Sequence, residues 1–247
     1  MSLMALGGFL TVVGLCDLLR ADRDRITAAR RWTILAVGSA LLVLFVAWAG
    51  DSVPGGLALT GGLLVCLALW LVGSSAALDQ AHHATAGRWR AMAFAGLGAG
   101  VVVSVLGAGA LQDWVLWPEW MTRTVLGGWP AADVTVSAGA VLLQLATGNL
   151  LVRLVLDAVG VPAITNEKKL KGGRLLGPME RIFIVGLGHI GEVTAAAIVV
   201  AAKGLLRFPE LQAGTKDGPS DVTEYFLIGS FASWLIGLAG VALIYIA

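Results

Sequence analysis

Charge is what this chain has least of. Only 13% of its 247 residues are Asp, Glu, Lys or Arg, about half the share in an average soluble domain. Hydrophobic residues make up 57%, and the mean hydropathy is +0.85. A soluble core of this length cannot hide so much apolar surface, so the excess requires lipid as its solvent. The sequence therefore reads as an all-α, polytopic integral membrane protein, one transmembrane domain over residues 1–247. Cysteine is scarce as well. Cys16 and Cys66 both lie in apolar stretches and read as small packing residues, which excludes a disulfide framework and a zinc cluster. A balance of 17 Lys and Arg against 16 Asp and Glu excludes a basic nucleic-acid surface and an acidic tail. Histidine occurs three times; His82 and His83 have no carboxylate at ligand spacing beyond Asp79, so they read as solvated loop residues. No motif for ATP hydrolysis, haem, flavin or a metal is present, and no cofactor is expected.

What is there is a series of apolar runs. A helical crossing needs ~20 residues, and seven runs qualify, at about 3–19, 32–49, 55–78, 91–111, 133–160, 182–203 and 224–247. The first has no basic residue before it and no small-residue cleavage pattern after it, so it reads as a retained helix rather than a signal. Connections on one side hold Arg20, Arg23, Arg25, Arg30 and Arg31, then Arg88 and Arg90, then Lys168, Lys169, Lys171, Arg174 and Arg181, twelve in all. The other side holds only Arg123, Lys203, Arg207 and Lys216. The positive-inside rule then places the N-terminus outside and the C-terminus inside, in a cell (inner) membrane. One outer connection, 112–132, carries Trp114, Trp117, Trp120 and Trp129 with Pro118 and Pro130. Three of those tryptophans at three-residue spacing predict one face of a short interfacial helix, an aromatic anchor or a lid.

Glycines at close-packing intervals, as in GLGAG at 96–100 and GLGHIG at 186–191, read as helix-contact residues. Gly186, Gly188 and Gly191 also match the GxGxxG pattern of dinucleotide-binding turns. That reading needs an alternating βα domain around it, for which five preceding spans and one following span leave no room. No internal repeat is visible.

Ionisable residues inside spans are costly and mark partners or cavities. The fifth span holds Gln144, Asn149, Arg153 and Asp157, the last three at intervals of four and so on one helix face; His189 and Glu192 share a face of the sixth. Counting ~1.5 Å per residue from the inner boundaries puts Arg153 and Asn149 at ~10 and ~16 Å and His189 and Glu192 at ~12 and ~16 Å, so adjacency of the two spans would let Arg153 reach Glu192. His189, Asn149 and Gln144 would line the same space, and Asp17 would approach from the first span. This cluster reads either as polar glue between helices or as a proton-linked or substrate site. A second group, Lys203, Arg207, Glu210, Glu224 and Tyr225, brackets the last connection on the outer side. It reads as snorkelling anchors or as a phosphate or carboxylate clamp.

The strings GRLLGPMERIFI at 173–184, AAKGLLRFPEL at 201–211 and EYFLIGSFASWLIGL at 224–238 resemble the end of the bacterial membrane-protein domain-of-unknown-function family 3307. The resemblance covers about 75 residues and falls on Glu180, Arg181, Lys203, Arg207, Phe208, Glu210, Glu224 and Tyr225. The N-terminal half departs from the family pattern, keeping Asp17 within LTVVGLCDLL where the family carries a His-x-x-Gly-Asp-Phe-like motif. The resemblance implies a membrane location and brings no activity.

The favoured reading is a channel or gradient-driven transporter of a small solute or ion. The alternatives are a membrane-embedded enzyme acting on a lipid or isoprenoid substrate, and an assembly or regulatory subunit. Expected partners are membrane lipids and a small solute, ion or lipid-like substrate. An oligomer is compatible with this, and nucleic acid is not.

Overall fold

The computed structural model describes residues 3–20, 27–79, 85–112, 117–161, 173–192, 194–202, 205 and 221–247, with the backbone alone described at 173, 174, 221 and 222. These residues are helical almost throughout. The elements are α1 (Met4–Arg20), α2 (Ala28–Ala49), α3 (Val53–Ala77), α4 (Ala86–Leu106), the short α5 (Glu119–Thr122), α6 (Ala131–Leu142), α7 (Gly148–Ala158), α8 (Gly173–His189), α9 over residues 194–202, and α10 (Asp221–Ile246). Five segments are long and apolar enough to cross a membrane: Ala28–Ala49, Val53–Ala77, Ala86–Leu106, Ala131–Ala158 and Thr223–Ile246. This is a membrane protein by the length and composition of its helices. The chain forms two compact units, Met1–Leu143 with Ile246–Ala247, and Gln144–Tyr245.

In the first unit, α1 packs against α2, α4 and α6, and α3 pairs closely with α4. Thirteen of the 17 residues of α1 are buried, which accounts for its apolar character on every side. Helix α2, equally apolar, buries only Ile34, Gly38, Leu42, Val46 and Ala49 and turns Val43 and Leu44 outward. The contact between α1 and α6 is made backbone to backbone. A Cβ on Gly139 would stand 2.6 Å from the Gly7 carbonyl oxygen, and one on Gly7 would stand 2.6 Å from the Val136 nitrogen. Small residues let helices approach so closely. Three residues, Gly50 to Ser52, join α2 to α3, with Pro54 in the first turn of α3 where its missing N–H costs nothing. The segment that follows α4 ties back to this turn through Asp51 N to Ala110 O at 3.0 Å and Gln112 N to Ala49 O at 2.9 Å.

The tryptophan-rich segment departs from the expected single helix face. Only Glu119–Thr122 is α-helical there, because Pro118 and Pro130 bracket a segment too short to propagate. Trp117 stacks on Trp48 with ring centroids 5.7 Å apart, and its Nε1 donates to the Trp129 carbonyl at 2.8 Å. Trp120 and Trp129 are exposed. Trp114 lies outside the described residues.

In the second unit, the run expected as one helix over 182–203 is broken. Helix α8 begins nine residues earlier, at Gly173, and ends at His189. Glu192 N donates to the Leu187 carbonyl at 2.8 Å and Gly191 N to the Gly188 carbonyl at 3.1 Å, with Gly191 at φ +82°. This is a Schellman turn, which calls for glycine at its left-handed position. Its signal lay in GLGHIG, whose last glycine terminates the helix instead of packing it. Helix α7 stops in the same way at Gly160, φ +79°, with Val161 N bonded to the Leu156 carbonyl at 3.0 Å. The fifth expected span is also not uniform, since a π turn over Leu143–Thr147 separates α6 from α7, with Leu145 at φ −77°, ψ −111°. Helices α8 and α10 meet through glycine: a Cβ on Gly188 would lie 2.6 Å from Val241 Cγ2, and one on Gly240 would lie 2.8 Å from Val185 Cγ2.

Candidate functional site

Two buried arginines organise the polar interior, and both lie where the sequence reading placed loop cations. The first is Arg20 at the end of α1. Its guanidinium pairs with Asp17 one turn earlier, Nη2 to Oδ1 at 2.6 Å and Nε to Oδ1 at 2.8 Å. Asp17 is fully buried and Arg20 is 4% exposed. Helix α3 completes the set. Trp70 Nε1 donates to Asp17 Oδ2 at 3.1 Å, while Arg20 donates to Ser74 Oγ at 2.8 Å and to Ser75 Oγ at 2.9 Å. The two serines pass their own hydroxyl protons to the carbonyls of Trp70 and Leu71 within α3. Every charge meets an opposite charge or a hydrogen bond, the condition for keeping ions in an apolar interior. Asp17, expected to approach a polar cluster from another side, is the acid of this network in the first unit.

The second centre lies in the second unit around Arg181 of α8, which is 1% exposed. Its Nε donates to the Gln144 carbonyl at 2.9 Å, and its Nη2 to the Leu145 carbonyl at 3.2 Å and to Asn149 Oδ1 at 2.8 Å. Nη1 donates to Ser233 Oγ of α10 at 2.9 Å. The π turn makes this geometry available. An α-helical carbonyl is committed to the N–H four residues on, whereas the irregular backbone at Leu145 turns the carbonyls of 144 and 145 towards the guanidinium. Residue 145 stands near the middle of the Ala131–Ala158 span, so Arg181 is held at mid-span depth. An arginine there costs on the order of 3 kcal/mol on insertion scales. Hydrogen bonds from a charged donor, at roughly 1.5–3 kcal/mol each, offset that cost, and Arg181 makes four. Glu180, the preceding residue, is also buried.

Gly148 closes one side of the guanidinium. A Cβ there would lie 2.7 Å from Arg181 Nε and 2.8 Å from Cζ. Gly148→Ala is therefore expected to push the guanidinium off its carbonyl partners and to cost about 1–3 kcal/mol, as overpacking does. Thermal unfolding of the purified variant measures this, and an unchanged midpoint would show that the guanidinium is free to move aside.

The remaining expected residues distribute as follows. Gln144 is fully buried at the π turn, and Asn149, Arg153 and Asp157 are half-buried along α7 at intervals of four. His189 and Glu192 do not share a helix face, because the Schellman turn falls between them. Both are exposed, and Glu192 forms no ion pair with Arg153 among the described residues. Of the outer group, Glu224 is exposed and Tyr225 half-buried in the first turns of α10, while Lys203, Arg207 and Glu210 lie outside the described residues. Arg20 carried a usable signal in its three-residue spacing from Asp17. Trp70, Ser74, Ser75 and Ser233 carried none, since serine and tryptophan within an apolar run do not announce a partner on another helix. No family model, curated protein or solved structure matches this chain.

Proposed function

We propose that this protein is a channel or gradient-driven carrier of a small solute or ion, crossing a bacterial inner membrane seven times with the N-terminus outside and the C-terminus inside. The five long apolar spans are joined in this reading by α1 and α8, each of 17 residues and so at the short end of what crosses a bilayer. Withdrawing the buried Arg20 and Arg181 from the twelve inner-loop cations leaves ten against four, which keeps the orientation. Arg181 at mid-depth puts His189, the last residue of α8, ~12 Å further along the helix axis, and Glu192 beyond the turn that ends the helix. Exposure of its carboxylate is then unremarkable, and the polar route runs along α7 instead.

The observation that carries the proposal is the half-buried stripe of Asn149, Arg153 and Asp157, which runs ~12 Å along α7 and ends at an unwound turn beside a buried cation. Irregular backbone at membrane depth is tolerated where protein buries it or a water-filled cavity meets it, and carriers place substrate at such breaks. Single cysteines at 149, 153 and 157, in the full-length protein with Cys16 and Cys66 replaced by alanine, test for water along the stripe. A membrane-impermeant methanethiosulfonate applied from the inner side is expected to modify 157 fastest and 149 slowest, all well above Leu151→Cys on the opposite face. Equal and negligible labelling of stripe and control positions would overturn the proposal.

A further inference from the structure

Helix α2 opens with the pair Arg30 and Arg31, and its 22 residues span ~33 Å, enough to put that first turn at a membrane surface. Arg30 Nη2 donates to the Leu19 carbonyl at the end of α1, an acceptor that a helix end leaves open. Arg31 lies over the Trp32 ring, its Cζ 5.9 Å from the centroid. Each arginine is thus held in place and half-buried, yet neither meets a carboxylate among the described residues. The connection 21–26 sets Asp22 and Asp24 against Arg23 and Arg25, which leaves the pair as net charge. Thr27 Oγ1 caps Arg30 N at 3.3 Å, and no acidic residue occupies the first turn of α2. Leu19, whose carbonyl holds Arg30, and Trp32 are both exposed.

We propose that Arg30 and Arg31 bind the phosphate of an anionic phospholipid whose acyl chains run along α2 past Trp32. Guanidinium forks match phosphate oxygens, and at this level the bilayer itself supplies phosphate. Two features select a lipid over a free anion. Consecutive side chains leave a helix ~100° apart, so the pair covers an arc of the helix surface rather than one point. The exposed indole and the Leu19 side chain offer apolar contact, which a soluble phosphate cannot use. A net anionic headgroup is favoured over a zwitterionic one, because the ammonium of choline or ethanolamine would face two like charges. The inference requires only that α2 crosses a membrane, so it stands or falls apart from transport and from the direction of insertion.

The test is thermal unfolding of the purified full-length protein in dodecyl maltoside, titrated with dioleoyl phosphatidylglycerol, dioleoyl phosphatidylcholine or inorganic phosphate. Phosphatidylglycerol is expected to raise the midpoint saturably, as a ligand of the folded state must. Its half-saturation should fall ~tenfold or more below that of phosphatidylcholine, since each cation near an anionic surface is worth roughly fivefold. Arg30→Gln with Arg31→Gln should erase that preference. Arg88→Gln with Arg123→Gln removes the same charge from other exposed positions and should keep it. Equal half-saturation by the two lipids, a preference that survives the substitutions at 30 and 31, or one lost equally in the control pair would overturn the proposal. A midpoint shift of the same size from inorganic phosphate at the same concentration would also overturn it, in favour of a soluble anion. If the double variant yields no folded protein, Arg30→Gln and Arg31→Gln made singly decide: a several-fold loss of preference in either supports the site, and wild-type preference in both refutes it.

Discussion

Replacing Asp17 with alanine is expected to destabilise the protein by about 3–5 kcal/mol, because it leaves a buried guanidinium without its counter-charge. Arg20 is 4% exposed and its guanidinium is held by bonds to Ser74 and Ser75. The size of the effect measures an uncompensated charge rather than the worth of the pair. The double variant Asp17→Leu with Arg20→Met therefore discriminates. With both charges gone, the serine hydroxyls keep their intrahelical carbonyl acceptors, and Trp70 Nε1 loses its carboxylate partner, at roughly 1–3 kcal/mol for an unsatisfied donor. Equilibrium unfolding in mixed micelles should place the double variant clearly above Asp17→Ala. A double variant less stable than the single would mean that the ion pair contributes net stability beyond satisfying its own members.

Gly139→Leu is expected to abolish the folded state or to cost more than ~4 kcal/mol, at the extreme of single substitutions. The first atom a side chain meets there is the Gly7 carbonyl oxygen at 2.6 Å, with Leu10 Cβ at 3.1 Å and Thr11 N at 3.3 Å behind it. Two of these three are backbone atoms of a helix packed against three neighbours, so no rotamer change relieves the clash. Gly98→Leu is the matched control, since nothing lies within 4 Å of its Cβ position. Gel filtration in detergent and the thermal midpoint should leave Gly98→Leu close to wild type and find Gly139→Leu aggregated or strongly shifted. Similar behaviour of the two would show that α1 and α6 can separate at little cost.

These pairs illustrate what one-dimensional reading detects. Gly139 and Gly98 are equivalent in sequence, small residues in apolar runs, and only the neighbour opposite each distinguishes a contact from an open face. Arginine behaves similarly. Arg20 and Arg181 sit at the ends of apolar runs, where a count of loop cations absorbs them. The structure buries both, because Trp70, Ser74 and Ser75 in one unit and the π turn with Ser233 in the other supply acceptors from distant parts of the chain. Conversely, His189 and Glu192 looked buried because the apolar run continues past them, until Gly191 ends the helix between them.

Composition and run length alone determined that this chain is helical and belongs in a membrane, since backbone polar groups in lipid must be satisfied within each segment and no partner need be known. The expected helix positions mostly lay within a few residues of those observed, for the same local reason. Tertiary structure decided which charges are interior, because ion burial depends on acceptors 30 to 55 residues away. It also decided where helices break, because a π turn and a left-handed glycine are stabilised by what packs or bonds against them and leave little mark in a hydropathy profile.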